Sequence, residues 1–173
     1  WGYILWDNDA TFAFYINYTG IPDTSRYAPL CQVENGGLSD PDNHLDLLAH
    51  LRQNPEFNHF YISRYADLMN TAFSCDEMLG QLDAWKAMID PEMTQHANRW
   101  FGTYTEWQTN FNRLRNFVAA RCSIVTTTMN SCYNTTGPYS LTLDADPANA
   151  GKVNMNSMTI NQFPWSGFYY GGL

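Results

Sequence analysis

Basic residues are scarce in this chain. Its 173 residues include 9 lysines and arginines against 17 aspartates and glutamates, which gives a formal net charge of −8. Only two of the basic residues are lysines, Lys86 and Lys152. A protein that binds nucleic acid by neutralising phosphates needs a basic patch or stripe, so we predict that nucleic acid is not a partner.

Long apolar runs and several well-known catalytic motifs are also missing. No apolar run approaches the roughly 20 residues that a membrane-spanning helix needs, so we predict no spanning segment in this chain. The sequence contains no G-x-S-x-G motif, no Walker phosphate loop and no G-x-G-x-x-G motif. These absences argue against a serine hydrolase of the nucleophile-elbow type, a P-loop enzyme and a dinucleotide-binding fold.

The cysteines are few but even in number. Cys31, Cys75, Cys122 and Cys132 never show the C-x-x-C spacing of zinc ribbons and thioredoxin-type sites. In an acidic chain rich in aromatic residues, they fit an extracytoplasmic protein with two disulfides, with cytosolic free thiols as the alternative. Cys122 and Cys132 are the easiest pair to join in a local loop, which would leave Cys31 for Cys75. Three connectivities are open, and the sequence does not decide among them.

The clearest chemical signal lies in the first twelve residues. An apolar run from Tyr3 to Trp6 leads directly into Asp7 and Asp9. Such a run predicts a buried strand, whose period of two would place both carboxylates on one face. Paired carboxylates suit Mg²⁺ or Mn²⁺, which proteins commonly hold with one or two carboxylates plus substrate phosphates. The alternative is that both aspartates are turn or capping residues.

The middle of the chain predicts about five helices, after a long irregular segment from residue 18 to about residue 42. Asn54-Pro55-Glu56 has the form of an N-cap followed by a proline in the first turn, and Asp90-Pro91-Glu92 repeats it. Thr103 and Glu106 have the spacing of a capping box. The helix after Asn54 carries an apolar stripe that we expect in the core. Its members are Phe57, Phe60, Tyr61, Tyr65, Leu68, Met69 and Ala72.

The periodicity changes from 3.6 to 2 after residue 133. Residues 140–146 alternate as a strand, and residues 153–160 are predicted to return beside them as its partner. We therefore predict an α+β fold, predominantly α-helical, with a helical domain over residues 1–133. Residues 134–173 would be the start of a β module or a β-hairpin docked on the helices.

Several of these stretches together resemble one protein family. Trp6-Asp7-Asn8-Asp9 followed by Thr11-Phe12 resembles the W-D-x-D-x-x-F signature of CotH-type kinases, the atypical secretory and spore-coat protein kinases. Residues 61–71, 91–100 and 114–122 resemble the C-terminal lobe of secreted or lipoprotein members from Bacteroidetes-type bacteria. Residues 136–167 resemble the β segment that follows that lobe.

The resemblance implies a protein-kinase-like C-terminal lobe and transfer of the ATP γ-phosphate to serine or threonine of a protein substrate. Asp7 would bind Mg²⁺–ATP as the D-F-G aspartate does in ordinary kinases, with Asp9 beside it as a second carboxylate. The family's catalytic aspartate and its nucleotide-anchoring lysine are expected before Trp1. The chain, which ends at Leu173, is therefore expected to be an inactive fragment of a secreted or cell-surface parent, for example one with a lipoprotein anchor.

Two other classes of function stay open. A metal-dependent glycosyltransferase also uses an Asp-x-Asp motif to bridge a cation and a diphosphate, but it would need a sugar-nucleotide half that the helical sequence does not supply. A non-catalytic surface scaffold or adhesion protein would keep the same lobe without its chemistry.

Overall fold

The structure, a computed structural model, describes residues 27–32, residue 34 and residues 44–172. Its helices are α1 (His44–Leu51), α2 (Pro55–Met69), α3 (Cys75–Ile89), α4 (Met93–Trp100) and α5 (Tyr104–Tyr133), with a 3₁₀ turn at Asp90–Glu92. Its strands are β1 (Thr136–Leu143), β2 (Val153–Met155), β3 (Met158–Ile160) and β4 (Trp165–Gly171). The predicted α+β class with a helical majority is confirmed. Within the described ranges, none of the helices combines the length and the apolar character of a membrane-spanning segment.

Local capping signals explain where two of the helices begin. The Asn54 side chain accepts hydrogen bonds from the backbone N–H groups of Glu56 (2.9 Å) and Phe57 (3.1 Å), as its sequence context predicts. The Thr103 hydroxyl accepts from the Glu106 backbone N–H at 3.1 Å and donates to the Glu106 carboxylate at 2.9 Å. These polar groups satisfy donors that the first turn of a helix leaves without a partner.

The second Asx-Pro-Glu segment behaves differently from the first. Asp90 does not cap a new helix, because α3 continues through the 3₁₀ turn directly into α4. The Asp90 carboxylate instead accepts a hydrogen bond from the Tyr104 hydroxyl at 2.8 Å. The prediction of a capped helix start was wrong here because Asp90 lies within a continuous helical segment and not at its beginning.

The strands pair in a different order from the predicted one. β1 pairs antiparallel with β4, while β2 and β3 form a separate antiparallel hairpin. Residues 153–160 therefore do not return beside residues 140–146, and that pairing was wrong. The reason is a turn at Asn156-Ser157 inside the segment, where Asn156 adopts a φ of 48°. Asparagine tolerates the left-handed region better than most residues.

The side chain of Asn70 links α2 to β4. Its Nδ2 donates to the Phe168 carbonyl at 2.8 Å, and its Oδ1 accepts from the Phe168 backbone N–H at 2.9 Å. An amide side chain thus replaces a missing strand partner along this edge of β4. Gly167 next to it is buried, and an added Cβ would lie 3.0 Å from Asn70 Cγ and 2.9 Å from Trp165 Cζ2. The close approach explains why a glycine stands there.

The chain divides into two compact units. Of the described residues, the first unit comprises residues 27–28 and 75–124, and the second comprises 29–32, 34, 44–74 and 125–172. The second unit has a hydrophobic core of six buried residues, with further half-buried side chains packed against it. The six are Cys31, Ile62, Ala66, Met129, Tyr133 and Tyr170. The sequence-based domain boundary after residue 133 stays a prediction.

Two disulfides are present, as the even cysteine count predicts. They join Cys31 to Cys132 in the second unit and Cys75 to Cys122 in the first, with Cα–Cα distances of 5.5 and 5.6 Å. The preferred pairing of Cys122 with Cys132 was wrong. Both residues lie on α5, where ten positions correspond to about 15 Å along the axis, whereas a disulfide requires Cα atoms within about 7 Å.

Candidate functional site

The predicted metal-binding residues Asp7 and Asp9 lie outside the described residues. Within residues 27–32, 34 and 44–172, no three side chains of His, Cys, Asp or Glu come close enough together to hold a metal ion. The hypothesis of a metal site at Asp7 and Asp9 therefore stays a prediction. What the structure does describe are three polar clusters, two in the second unit and one in the first.

The most deeply buried of these clusters is centred on Asp67 of α2, whose side chain is fully buried. Its Oδ1 accepts hydrogen bonds from the Tyr169 hydroxyl (3.0 Å) and from Asn156 Nδ2 (3.2 Å). Its Oδ2 accepts from the backbone N–H of Ser157 (2.9 Å) and from the Ser157 hydroxyl. We call these four residues the Asp67 network. Through it, one carboxylate fastens α2 to the β2–β3 turn and to β4.

The Asp67 network is chemically saturated. An ionised carboxylate offers about four lone-pair sites, and four donors occupy those of Asp67. Burial raises the pKa of Tyr169, and its hydrogen bond to Asp67 raises it further, so the phenol stays a protonated donor at neutral pH. Asp67 could act as a general base or as a metal ligand only by giving up a structural hydrogen bond.

A cavity of about 330 Å³ lies beside this network. Arg64, one turn before Asp67 on α2, donates from Nη1 to the Ser157 hydroxyl at 2.6 Å. The volume is at the lower end of the range for small-molecule sites. Cationic, anionic and hydroxyl side chains all contribute to its wall, so the cavity selects no single ligand charge. The lining residues are Glu56, His59, Phe60, Ser63, Arg64, Asp67, Asn156 and Ser157.

A second carboxylate, that of Glu34, organises a cluster of aromatic residues. Its Oε1 accepts from the hydroxyls of Tyr61 and Tyr133, both at 2.8 Å, and its Oε2 forms an ion pair with Arg52. The Arg52 guanidinium lies 4.7 Å from the Tyr133 ring centroid and 5.4 Å from that of Tyr61. Burial raises the pKa of both tyrosines well above the usual value. These phenols are therefore hydrogen-bond donors and not nucleophiles or bases.

The first unit contains the third cluster, which includes one of the two lysines. Lys86 Nζ lies 3.3 Å from Asp90 Oδ1 and 5.1 Å from the centroid of the Trp107 ring. A hydrogen bond from the Tyr104 hydroxyl is the main reason that the pKa of Asp90 is lowered, with Lys86 contributing in the same direction. Lys152 is exposed before β2. Lys86 thus has one partner in the 3₁₀ turn that follows its helix and another on α5.

Two further arginines contact a carbonyl and an aromatic ring. Arg121 donates to the backbone carbonyl of Ala28, and the Arg99 guanidinium lies 5.2 Å from the Trp100 ring centroid. Among the histidines, His50 Nδ1 donates to the Asp46 carbonyl at 2.7 Å, while His59 and His96 are exposed. None of these contacts builds a catalytic constellation.

The sequence reasoning missed both organising carboxylates. The expected stripe after Asn54 included Phe60, which is exposed, and Ala72, which is exposed and lies beyond the end of α2. The buried positions of α2 are Ile62, Ala66 and Asp67. An acid within an otherwise apolar stretch of helix was the one local signal for Asp67. Its partners lie about ninety residues or more downstream, and no spacing rule connects them.

The chain matches the model of one known protein family. A family model described as CotH kinase protein matches residues 1–125. The chain belongs to the CotH kinase family. No match to a curated protein or to a solved structure was found.

Membership in the CotH kinase family indicates a kinase-like protein and, in general terms, use of a nucleotide and a metal. The matched region includes Asp7, Asp9 and Asp67, but ends before Ser157 and Tyr169. The Asp67 network therefore joins the family domain to the strands that follow it.

Proposed function

We propose that this CotH-family chain is part of an atypical protein kinase that works outside the cytoplasm. In the parent enzyme, Asp7 and Asp9 hold Mg²⁺ or Mn²⁺, and the γ-phosphate of ATP moves to serine or threonine of a protein substrate. The observation that carries the proposal is the family match over residues 1–125, which includes the Asp-x-Asp after the predicted strand. The two disulfides fit the extracellular setting.

The donor chemistry of this pair suits the proposed role. Asp7 and Asp9 are two residues apart and offer carboxylate oxygens, which are the hard ligands that Mg²⁺ prefers. When bound, the cation would supply charge neutralisation at the phosphates, since phosphoryl transfer depends mainly on positioning and electrostatic stabilisation. The task of the two carboxylates is to hold and orient that charge.

The described residues support a scaffold role for the rest of the chain. The carboxylates of Asp67 and Glu34 are already engaged by hydrogen-bond donors, and Lys86 is engaged by Asp90. Each of them would have to give up a structural contact to act as a catalytic base or as an anchor for the nucleotide. We therefore expect the base and the phosphate-binding lysine of the parent enzyme to be groups other than these three.

The decisive experiment uses the full-length parent protein and labelled ATP. We expect Asp7→Asn to abolish phosphate transfer, because it removes a charged ligand of the cation. The matched control is Asp46→Asn, which makes the same change at an exposed position on α1 and should leave turnover unchanged. Undiminished turnover in Asp7→Asn would remove Asp7 from the site.

The 173-residue chain alone provides a complementary test. Incubated with labelled ATP, Mg²⁺ and a general protein substrate, it should transfer no phosphate. Measurable transfer would show that the complete catalytic set is present within these residues.

A non-catalytic scaffold or adhesion protein is the second candidate, favoured by the structural role of every polar cluster described. Calorimetric titration of Mg²⁺ and nucleotide into the full-length protein distinguishes the scaffold from the kinase. A non-catalytic scaffold should bind neither Mg²⁺ nor nucleotide. A metal-dependent glycosyltransferase is less well supported, since the described residues form only two small antiparallel sheets. Transfer of labelled sugar instead of labelled phosphate would favour it.

A further inference from the structure

The triplet Asn134-Thr135-Thr136 lies directly after α5 and opens β1. It has the N-x-S/T form of an acceptor for asparagine-linked glycosylation. We propose that Asn134 carries an asparagine-linked glycan when the chain is secreted by a cell that has an oligosaccharyltransferase. This inference does not depend on the proposed kinase activity.

The local geometry separates the three residues of the triplet. Asn134 and Thr136 are exposed, whereas Thr135 between them is 7% exposed. The Thr135 hydroxyl donates inward to Asn130 Oδ1 at 2.9 Å. The Asn134 amide side chain forms no hydrogen bond with any other described residue. Asn134, which carries the acceptor amide, and the third-position residue are thus both at the surface.

Asn134 also adopts a φ of 54°, which places it in the left-handed region at the end of a helix. Asparagine and glycine are the residues that commonly occupy this position. If only the backbone conformation mattered at this position, glycine would serve equally well. This equivalence makes glycine the appropriate substitution for a test, because it removes the acceptor amide without straining the turn.

Another asparagine in the same stretch provides a structural contrast. Asn130 is half-buried, and its Nδ2 donates to the Gly137 carbonyl at 2.7 Å. Its Oδ1 is already engaged by Thr135. Asn130 is therefore committed to the fold while Asn134 is not. A second N-x-T triplet, Asn17-Tyr18-Thr19, lies outside the described residues.

The disulfides are compatible with a compartment in which asparagine-linked glycosylation takes place. The two disulfides fit an oxidising compartment, and the lumen of the endoplasmic reticulum is one that also attaches asparagine-linked glycans. In the transfer, Asn134 Nδ2 attacks the anomeric carbon of a lipid-linked oligosaccharide pyrophosphate. The Nδ2–C1 bond forms, the bond from C1 to the pyrophosphate oxygen breaks, the lipid pyrophosphate leaves, and one Nδ2 proton passes to the transferase.

The test is to secrete the full chain from cultured animal cells in an Asn17→Gln background, so that Asn134 remains the one N-x-S/T acceptor. Mass spectrometry of the peptide that contains residue 134, before and after treatment with peptide N-glycosidase, reports the occupancy. We expect the glycan on most molecules. An unmodified peptide from the folded, secreted chain would overturn the proposal.

Matched variants in the same background assign the modification to the triplet. Asn134→Gly should remove the glycan completely while preserving the turn, and Thr136→Val should remove it while keeping a β-branched residue in β1. Thr136→Ser retains the acceptor pattern and should remain glycosylated. Retention of the glycan in Thr136→Val, or its loss in Thr136→Ser, would contradict the assignment. Far-ultraviolet circular dichroism of each variant confirms that the comparison is between folded proteins.

Discussion

The two compact units are stabilised in different ways within the described part of the chain. In the second unit, Ile62, Met129 and Asp67 are fully buried. In the first unit, α3 contains no buried residue, and Trp85 and Met88 on it are 60% and 74% exposed. A core with buried polar residues characterises the second unit, whereas the buried side chains on the described helices of the first are the apolar ones of Ala97 and Val118.

The difference shows where the structure depends on individual residues. A buried group that loses its partner retains the full cost of desolvation, while an exposed group regains water. Substitutions in the Asp67 network should therefore be much more damaging than substitutions in exposed pairs such as Asp83 with Arg115. The following predictions test this contrast, beginning with the largest expected effect.

Removing each disulfide compares the units directly. The Cys31–Cys132 bridge spans 101 residues and the Cys75–Cys122 bridge spans 47. Loop-closure entropy alone predicts losses of about 5 and about 4 kcal/mol for the two double alanine variants. The buried side chain of Cys31 should add to the first loss. Urea unfolding of the oxidised proteins measures both, and a larger loss for the Cys75–Cys122 pair would contradict the contrast.

Asp67→Ala should destabilise the protein by about 3 kcal/mol, because it leaves the donors of Asn156, Ser157 and Tyr169 without their acceptor. The control is Asp46→Ala on the exposed surface of α1, which should change the free energy of unfolding by less than about 0.5 kcal/mol. Chemical denaturation measures both. Equal effects of the two substitutions would show that the network contributes little.

Alkaline pH should unfold the second unit. The pKa values of Tyr61, Tyr133 and Tyr169 are raised above their ordinary value, so these phenols favour folding below about pH 10, and that contribution is lost as pH rises further. Above about pH 10 the unfolded chain releases protons that the folded chain retains. Each tyrosine then lowers the free energy of unfolding by up to about 1.4 kcal/mol per pH unit.

The measurement is unfolding followed against pH, with tyrosinate absorbance as a second probe. Tyr133→Phe should reduce the steepness of the alkaline loss, although it also removes a hydrogen bond to Glu34. Tyr139→Phe, at an exposed position of β1, is the control and should leave the steepness unchanged. If the free energy of unfolding fell equally steeply with pH in the two variants, the buried phenols would not be the cause of alkaline unfolding.

The smallest effect is expected for Asp83→Asn. The hydrogen bond from Arg115 is the main reason that the pKa of Asp83 is lowered, so any stabilisation is present at neutral pH and is lost as pH falls. Because both partners are exposed and screened by water and salt, the thermal midpoints of the variant and the parent should agree within error at high ionic strength. A clear loss under these conditions would mean that exposed pairs matter here.

What could be predicted from the sequence was local. The capping signals at Asn54 and Thr103 were read correctly because a cap and its partners lie within a few residues of each other. The disulfide pairing and the pairing of β1 with β4 required knowledge of distant neighbours. Asp67 was overlooked for the same physical reason, since only the folded chain brings its donors together. The roles of Asp7 and Asp9 remain predictions.

The sequence distance within the Asp67 network has a consequence for biosynthesis. Asp67 and Tyr169 are 102 residues apart in the sequence, and Cys31 and Cys132 are 101 residues apart. At a synthesis rate of about 5–20 residues per second, α2 emerges roughly 5–20 seconds before the strand that completes its surroundings. During that interval the Asp67 carboxylate depends on water for its hydrogen bonds. Residues 75–124, which make up most of the described first unit, are synthesised during this interval. The second unit can therefore complete its packing around α2 only after β4 has been synthesised.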